Sequence, residues 1–336
     1  MNKSILCLAL ALLLRGSVSF AQDTFSIVAV DSLTGEVGSA GASCISAANL
    51  QTFFPDFAPD FLGDLLPGRG AINTQSFYLL QNQLNARARL TEGLSPQGVL
   101  DWLVANDAQG NSTQRQYGVA AFQNGAPAAA AFTGVNCFDV KGHRVGPNYS
   151  IQGNILLGQG ILDSMEARFL SAEGCLANKL MAAMQGAKVP GADTRCLSNG
   201  TSSMFAFIKV AAPDDSPEEP YLRLFVSYNP VGIEPIDSLQ ALFDANYICL
   251  SSLENARHAL SFSVSPNPAS GEVRVTFPDD LGFLRMDVFD AQGKLVETRP
   301  NIASGTRLHI QQRGLVHLRL TDKEGRMGVK RVICAD

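Results

Sequence analysis

The sequence is poor in the residues that most often carry chemistry. It holds four histidines and one tryptophan in 336 residues. Only His143 precedes residue 250, so a histidine triad or a histidine-rich metal site has little to draw on. Charged residues make up 17% of the chain and the net charge is -5. No basic excess exists to meet a phosphate backbone, which excludes nucleic acid as a partner. No Cys-x-x-Cys spacing occurs, which argues against zinc and thiol exchange. No Gly-x-Ser-x-Gly elbow occurs, so Ser43 with His143 makes a poor serine-hydrolase pair. No apolar run reaches the roughly 20 residues that span a bilayer as a helix. No cofactor and no metal are expected. What is present is 46% hydrophobic residues, thirty glycines and sixteen prolines, the composition of a folded, turn-rich globular protein.

The N-terminus reads as an export signal over residues 1–21. Lys3 gives it a positive start, Ile5 to Leu14 is a short apolar run, and Ser19-Phe20-Ala21 fits the small-x-small cleavage rule. Cleavage there makes Gln22 the first mature residue and predicts a secreted or surface-attached protein that passes through the periplasm. Without Cys7, six cysteines remain: Cys44, Cys137, Cys175, Cys196, Cys249 and Cys334. An even count in an oxidising compartment favours disulfides. Cys175 with Cys196, closing a short loop, is the preferred pairing, and Cys44 with Cys137 the second.

Strand periodicity appears at Thr24 to Asp31 and, in small residues, at Glu36 to Ser43. An aromatic run, Phe53 to Phe61, follows as a loop that either forms a binding lip or folds into the core. The chain returns through Gly70 to Gln75. Helical spacing covers Ser76 to Leu90, and Ser95-Pro96 opens a helix to Asn106. Strands are expected at Gln116–Phe122 and Ala128–Thr133, then a Gly-rich loop from Gly142 to Asn154. Helices at Gly160–Leu170 and Leu176–Gln185, strands at Ser202–Ala211 and Tyr221–Tyr228, and a helix at Ile236–Ala245 complete this region. Paired strands alternating with paired helices predict an α+β layered sandwich over residues 22–250. After a linker at 251–260, short strands separated by Asn267-Pro268, Gln292-Gly293 and Glu324-Gly325 predict a small all-β, immunoglobulin-like sandwich over 261–336.

The tail residues Ser263-Val-Ser-Pro-Asn-Pro268, Val288-Phe-Asp-Ala-Gln-Gly-Lys294 and Gly314 to Lys330 resemble the C-terminal sorting domain of the type IX secretion system of Bacteroidetes. Leu315-Val316 and the Cys-Ala-Asp ending depart from that pattern. The resemblance implies an export address read by the type IX machinery. In the core, Thr24 to Gly38 resembles the opening of a bacterial family called domain of unknown function 1028. Gly70-Ala-Ile-Asn-Thr-Gln75, Ala131-Phe-Thr-Gly134, Gln152-Gly-Asn154 and Gly191-Ala-Asp-Thr-Arg195 fit its later motifs. That family is similar in fold to the N-terminal nucleophile (Ntn) hydrolases, which implies a four-layer αββα sandwich. It implies a fold, not a reaction.

In an Ntn hydrolase the first residue of the mature chain is nucleophile and, through its own α-amine, general base. Thr24, opening the first strand, stands where such a nucleophile belongs, or simply begins a strand, where Thr is common. Cleavage after Ala21 leaves Gln22-Asp23 ahead of it, so further trimming is required. Asn154 either donates an N–H to an oxyanion or satisfies a turn. Ser43, Asn73 and Gln75 line the same cleft or cap strand ends. His143 and Arg144 face substrate or solvent. Asp193 and Arg195 orient a substrate carboxylate or pair structurally. Asp214-Asp215 with Glu218-Glu219 reads as a solvated turn rather than a calcium loop. Two functions follow: a secreted amidohydrolase acting on a peptide, acyl-amide or cell-wall amide, or a non-catalytic scaffold for a small-molecule or peptide ligand. A homodimer is compatible with either.

Overall fold

The computed structural model describes residues 24–45, 60–227, 229–249 and 260–335. The expected export signal, most of the Phe53 to Phe61 run and nearly all of the expected linker lie outside them. The chain is an α+β protein with a mixed N-terminal region and an all-β C-terminal region.

Strands β1 (Thr24–Val30) and β2 (Val37–Ser43) form the predicted hairpin, paired from Thr24 opposite Ser43 to Val30 opposite Val37. They lie at the centre of a six-stranded sheet with β7 (Gly142–Val145), β8 (Tyr149–Gly153), β9 (Phe205–Ala211) and β10 (Leu222–Val226), in the order β10-β9-β2-β1-β8-β7. The second sheet, in sequential order, holds β3 (Gly63–Leu66), β4 (Gly70–Gln75), β5 (Gln116–Gln123) and β6 (Ala126–Thr133). The segment Gly142 to Asn154, expected as a loop, is therefore largely a hairpin. Two of its three glycines sit in strands, where Gly142 pairs with Gly153.

Period-two alternation sorts each strand between two surroundings. Phe25, Ile27 and Ala29 of β1, with Ala206, Ile208 and Val210 of β9, face three helices: α3 (Gly160–Ser171), α4 (Leu176–Gly186) and α5 (Pro235–Asn246). Tyr117, Val119 and Ala121 of β5 face α1 (Leu80–Thr91) and α2 (Pro96–Ala105). Ser95 caps α2 as expected, its hydroxyl accepting from Gly98 N at 3.1 Å with Pro96 in the first turn. The opposite faces of the two sheets pack on each other, with β1 against β4 and β5.

The tail has a three-stranded sheet, in the order β11-β12-β15, and a four-stranded sheet, in the order β14-β13-β16-β17. Their ranges are β11 (Ser263–Ser265), β12 (Glu272–Thr276), β13 (Leu284–Phe289), β14 (Leu295–Ile302), β15 (Thr306–His309), β16 (Gly314–Thr321) and β17 (Met327–Cys334). Val273 and Val275 of one sheet and Met286, Val288, Leu318 and Val332 of the other share one apolar core. Strand β14 was not expected. Its apolar residues Leu295 and Val296 are partly covered and exposed, and polar Glu297, Thr298 and Arg299 follow, so it lacks the buried apolar alternation of its neighbours.

Both preferred cysteine pairings are wrong. The disulfides are Cys44–Cys196 and Cys175–Cys249, while Cys137 and Cys334 are buried thiols. Pairing follows sheet topology: β2 lies beside β9, so the residue after β2 meets the segment leading into β9.

Candidate functional site

The space between the two sheets has an apolar end and a polar end. Val28, Val30, Val37, Leu65, Ala71, Ala120 and Ala211 fill the first. Toward the start of β1, the inward positions become Ser26, Gln152 and Asn154 from one sheet and Gln75 and Gln116 from the other, all buried. Burying five polar side chains together is costly unless each is hydrogen-bonded. Gln152 Nε2 donates to Ser26 Oγ at 2.7 Å, and Ser26 Oγ donates to Gln75 Oε1 at 2.6 Å. Gln75 Nε2 donates to Gln116 Oε1 at 2.7 Å, and Asn154 Nδ2 donates to the same oxygen at 2.9 Å. The sheets are thus stitched together by side-chain amides at this end.

Gln116 is the junction. Its Nε2 lies within hydrogen-bond reach of the carbonyls of Gly153 (2.9 Å) and Gly142 (3.1 Å) and of Thr133 Oγ1 (2.9 Å), three acceptors that share its two N–H groups. Carbonyls only accept, so they fix which end of the amide is nitrogen. Thr133 Oγ1 lies 2.9 Å from His143 Nδ1. Partial burial, and then the neighbouring Arg144 charge, push the His143 pKa down.

Three non-glycine residues beside this end have left-handed backbone: Ser76 at φ 56°, Phe77 at φ 51° and Ile155 at φ 51°. For Phe and β-branched Ile this is strained, and such strain concentrates at functional sites. The Phe77 and Phe138 rings are 5.5 Å apart, the Phe138 carbonyl accepts from Ile155 N at 3.2 Å, and Arg115 donates to the Phe77 carbonyl. Arg115 is itself held by a buried ion pair with Asp107 at 2.9 Å.

The sequence candidates divide. Thr24 opens β1 opposite Ser43, and Gln75 and Asn154 meet at Gln116. His143 joins at the rim through Thr133. Asn73 lies further in, donating to Ile27 O at 3.2 Å and accepting from Ser39 Oγ at 2.6 Å. Arg144 is drawn to the helix side, onto Asp163 at 2.6 Å. Asp193 accepts from Arg195 Nη2 at 2.6 Å and from Cys44 N at 2.9 Å. This pair anchors the end of β2, beside the Cys44–Cys196 disulfide. Asp215 accepts from Ala212 N and Tyr221 N, each at 2.9 Å, as a turn residue does. Phe61, the described end of the aromatic run, is buried against Tyr78.

Ser26, Gln116, Thr133 and Gln152 were missed. Their signal was a polar residue at an inward position of an otherwise apolar alternation, which strand periodicity alone marks as a tolerated exception. Asn154 donates through Nδ2, and the atom it leaves without a partner among the described residues is the acceptor Oδ1.

A family described as "Family of unknown function (DUF1028)" matches residues 24–236. A solved structure of protein SPO2555 from Silicibacter pomeroyi, of the same family, is similar at 23% identity with a TM-score of 0.50. The match covers 66% of this chain and 88% of that one, and it bears on the fold alone. No curated protein matches. The chain belongs to the DUF1028 family.

Proposed function

We propose that this protein is a secreted amidohydrolase of the Ntn type, in which Thr24 becomes the first residue of the mature chain. The observation that carries the reading is the placement of Thr24 at the start of a central strand, at the polar end of two stacked sheets covered by helices. In this reading the layers form the αββα sandwich of the Ntn hydrolases. The Thr24 hydroxyl oxygen attacks an amide carbonyl and its proton passes to the α-amine. That proton then goes to the leaving amine as the C–N bond breaks. Water hydrolyses the resulting ester, releasing a carboxylic acid and restoring the hydroxyl. A terminal amine with an ordinary pKa near 7.7 to 8 is neutral often enough at mild pH to act as the base.

The export signal carries the chain out of the cytoplasm, and the all-β tail is its type IX sorting domain. A second reading keeps the fold without the reaction. It is favoured by Gln22-Asp23, which separate Thr24 from the expected cleavage site and leave its nitrogen in a peptide bond.

The test is turnover of a panel of peptide, acyl-amide and cell-wall amides by three proteins: a chain starting at Thr24, one starting at Gln22, and Thr24→Ala. Release of amine by the first alone, with a loss of about a thousandfold or more in the others, is expected. No activity in any of them favours the scaffold, and equal activity in all three removes Thr24 from the reaction.

A further inference from the structure

We infer that Asn154 is a positioning residue whose side-chain oxygen holds the α-amino group created when the chain is cut before Thr24. The inference deepens the reading above and rests on its choice of Thr24 as the mature terminus.

The orientation of Asn154 follows from its neighbours. The Gly142 and Gly153 carbonyls take the N–H bonds of Gln116, so Gln116 turns its oxygen toward Gln75 and Asn154. Asn154 must answer with its nitrogen, because swapping its amide would set oxygen against oxygen. Its own oxygen therefore faces away from Gln116. That oxygen is buried, and no donor among the described residues reaches it. A buried acceptor without a donor is destabilising, and here the very next residue, Ile155, is also held in a strained left-handed conformation. Two independent costs at adjacent residues point to a role beyond folding.

The sheet register identifies the donor. Phe25 of β1 pairs with Gly153 of β8, and Ser26 with Gln152. Extending the antiparallel register by one residue sets Thr24 opposite Asn154. While Gln22-Asp23 remain attached, the Thr24 nitrogen has one N–H and is fixed in a planar peptide. Once the peptide bond is cut, the nitrogen is tetrahedral and gains further N–H donors. One of them can serve the waiting oxygen while the lone pair of the neutral amine stays directed at the hydroxyl. The acceptor is thus left open in the chain and filled by maturation.

The test reads the amine itself, without requiring turnover. The chain starting at Thr24 and its Asn154→Asp and Asn154→Ala variants are exposed to trace acetic anhydride from pH 5 to 10. Acetylation of the terminal peptide is then quantified by mass spectrometry against an internal lysine. An acceptor bonded to the amine favours its charged form, and a carboxylate favours it more. The labelling midpoint is expected to rise by about one pH unit in Asn154→Asp and to fall in Asn154→Ala. The same midpoint in all three proteins overturns the inference. Asn154→Asp keeps the size of the side chain, so it stands as the informative variant if Asn154→Ala does not fold. Shifted midpoints with no hydrolysis of any amide would sink the proposed reaction and leave this contact standing. Hydrolysis with unmoved midpoints would do the reverse.

Discussion

Replacing Gln116 with leucine would remove the partner of two buried N–H groups, Gln75 Nε2 and Asn154 Nδ2, and of the Gly142 and Gly153 carbonyls. Each buried group left unsatisfied costs about 1–3 kcal/mol. Gln116→Leu is therefore expected to destabilise the protein by about 3 kcal/mol or more, measured by urea unfolding. A loss within about 0.5 kcal/mol, the range of an ordinary surface substitution, would mean that water replaces the amide. Gln75 and Asn154 were legible because each lies in a polar, Gly-containing stretch. Gln116 was not, since nothing local distinguishes a glutamine that joins two sheets from one that begins an exposed strand. Arg115 is held by Asp107, whose pKa stays at about 2, below the ordinary 3.8, despite desolvation, because Arg115, Asn82 and two backbone N–H groups bond the carboxylate. A depressed folded-state pKa contributes stability above the unfolded value and loses it as pH falls. Stability measured from pH 5 to 2 should fall between about 4 and 2, and Asp107→Asn should flatten that fall. An unchanged slope in the variant would remove Asp107 from the account.

At the scale of the element, the polar end exists because the strands that face it are built from small residues. A Cβ on Gly118 of β5 would lie 2.0 Å from Gln152 Oε1, and one on Gly63 of β3 would lie 2.3 Å from Ser39 Oγ. The polar side chains Gln152 and Ser39 of one sheet occupy space that a missing side chain in the other provides. Gly118→Ala is expected to cost about 1–3 kcal/mol through overpacking and to disturb the Ser26–Gln152 contact. Side-chain amide signals in NMR spectra would report that disturbance. A neutral Gly118→Ala with unmoved Gln152 signals would contradict the close fit. The hairpin of β1 and β2 and the helix opened by Ser95-Pro96 were readable from the sequence, since alternation and capping are local properties. The hairpin of β7 and β8 was not. Its glycines and polar residues carry loop chemistry, yet β8 is wholly buried against β1, and tertiary pairing outweighs local preference.

At the scale of the molecule, the Cys44–Cys196 disulfide closes a separation of 152 residues and joins the end of β2 to the segment that carries Asp193. Removing it with Cys44→Ala and Cys196→Ala together is expected to lower stability by about 3–5 kcal/mol. Peptide mapping without reductant should recover 44–196 and 175–249 linkages. Any peptide joining Cys137 to Cys44 would contradict the topology. The even cysteine count pointed to disulfides, but which cysteines meet depends on β2 lying beside β9, a contact that no local pattern encodes. The tail's two-sheet core was legible from its turns, whereas the proposal that it is an export address rests on sequence resemblance alone.

The most direct measurement is the first residue of the protein recovered from a secreting host, by intact mass and terminal sequencing. The account predicts a chain beginning at Thr24, with the amine beside Asn154 uncovered. A chain beginning at Gln22 or Asp23 would leave that nitrogen in a peptide bond, remove the general base, and contradict the proposed reaction.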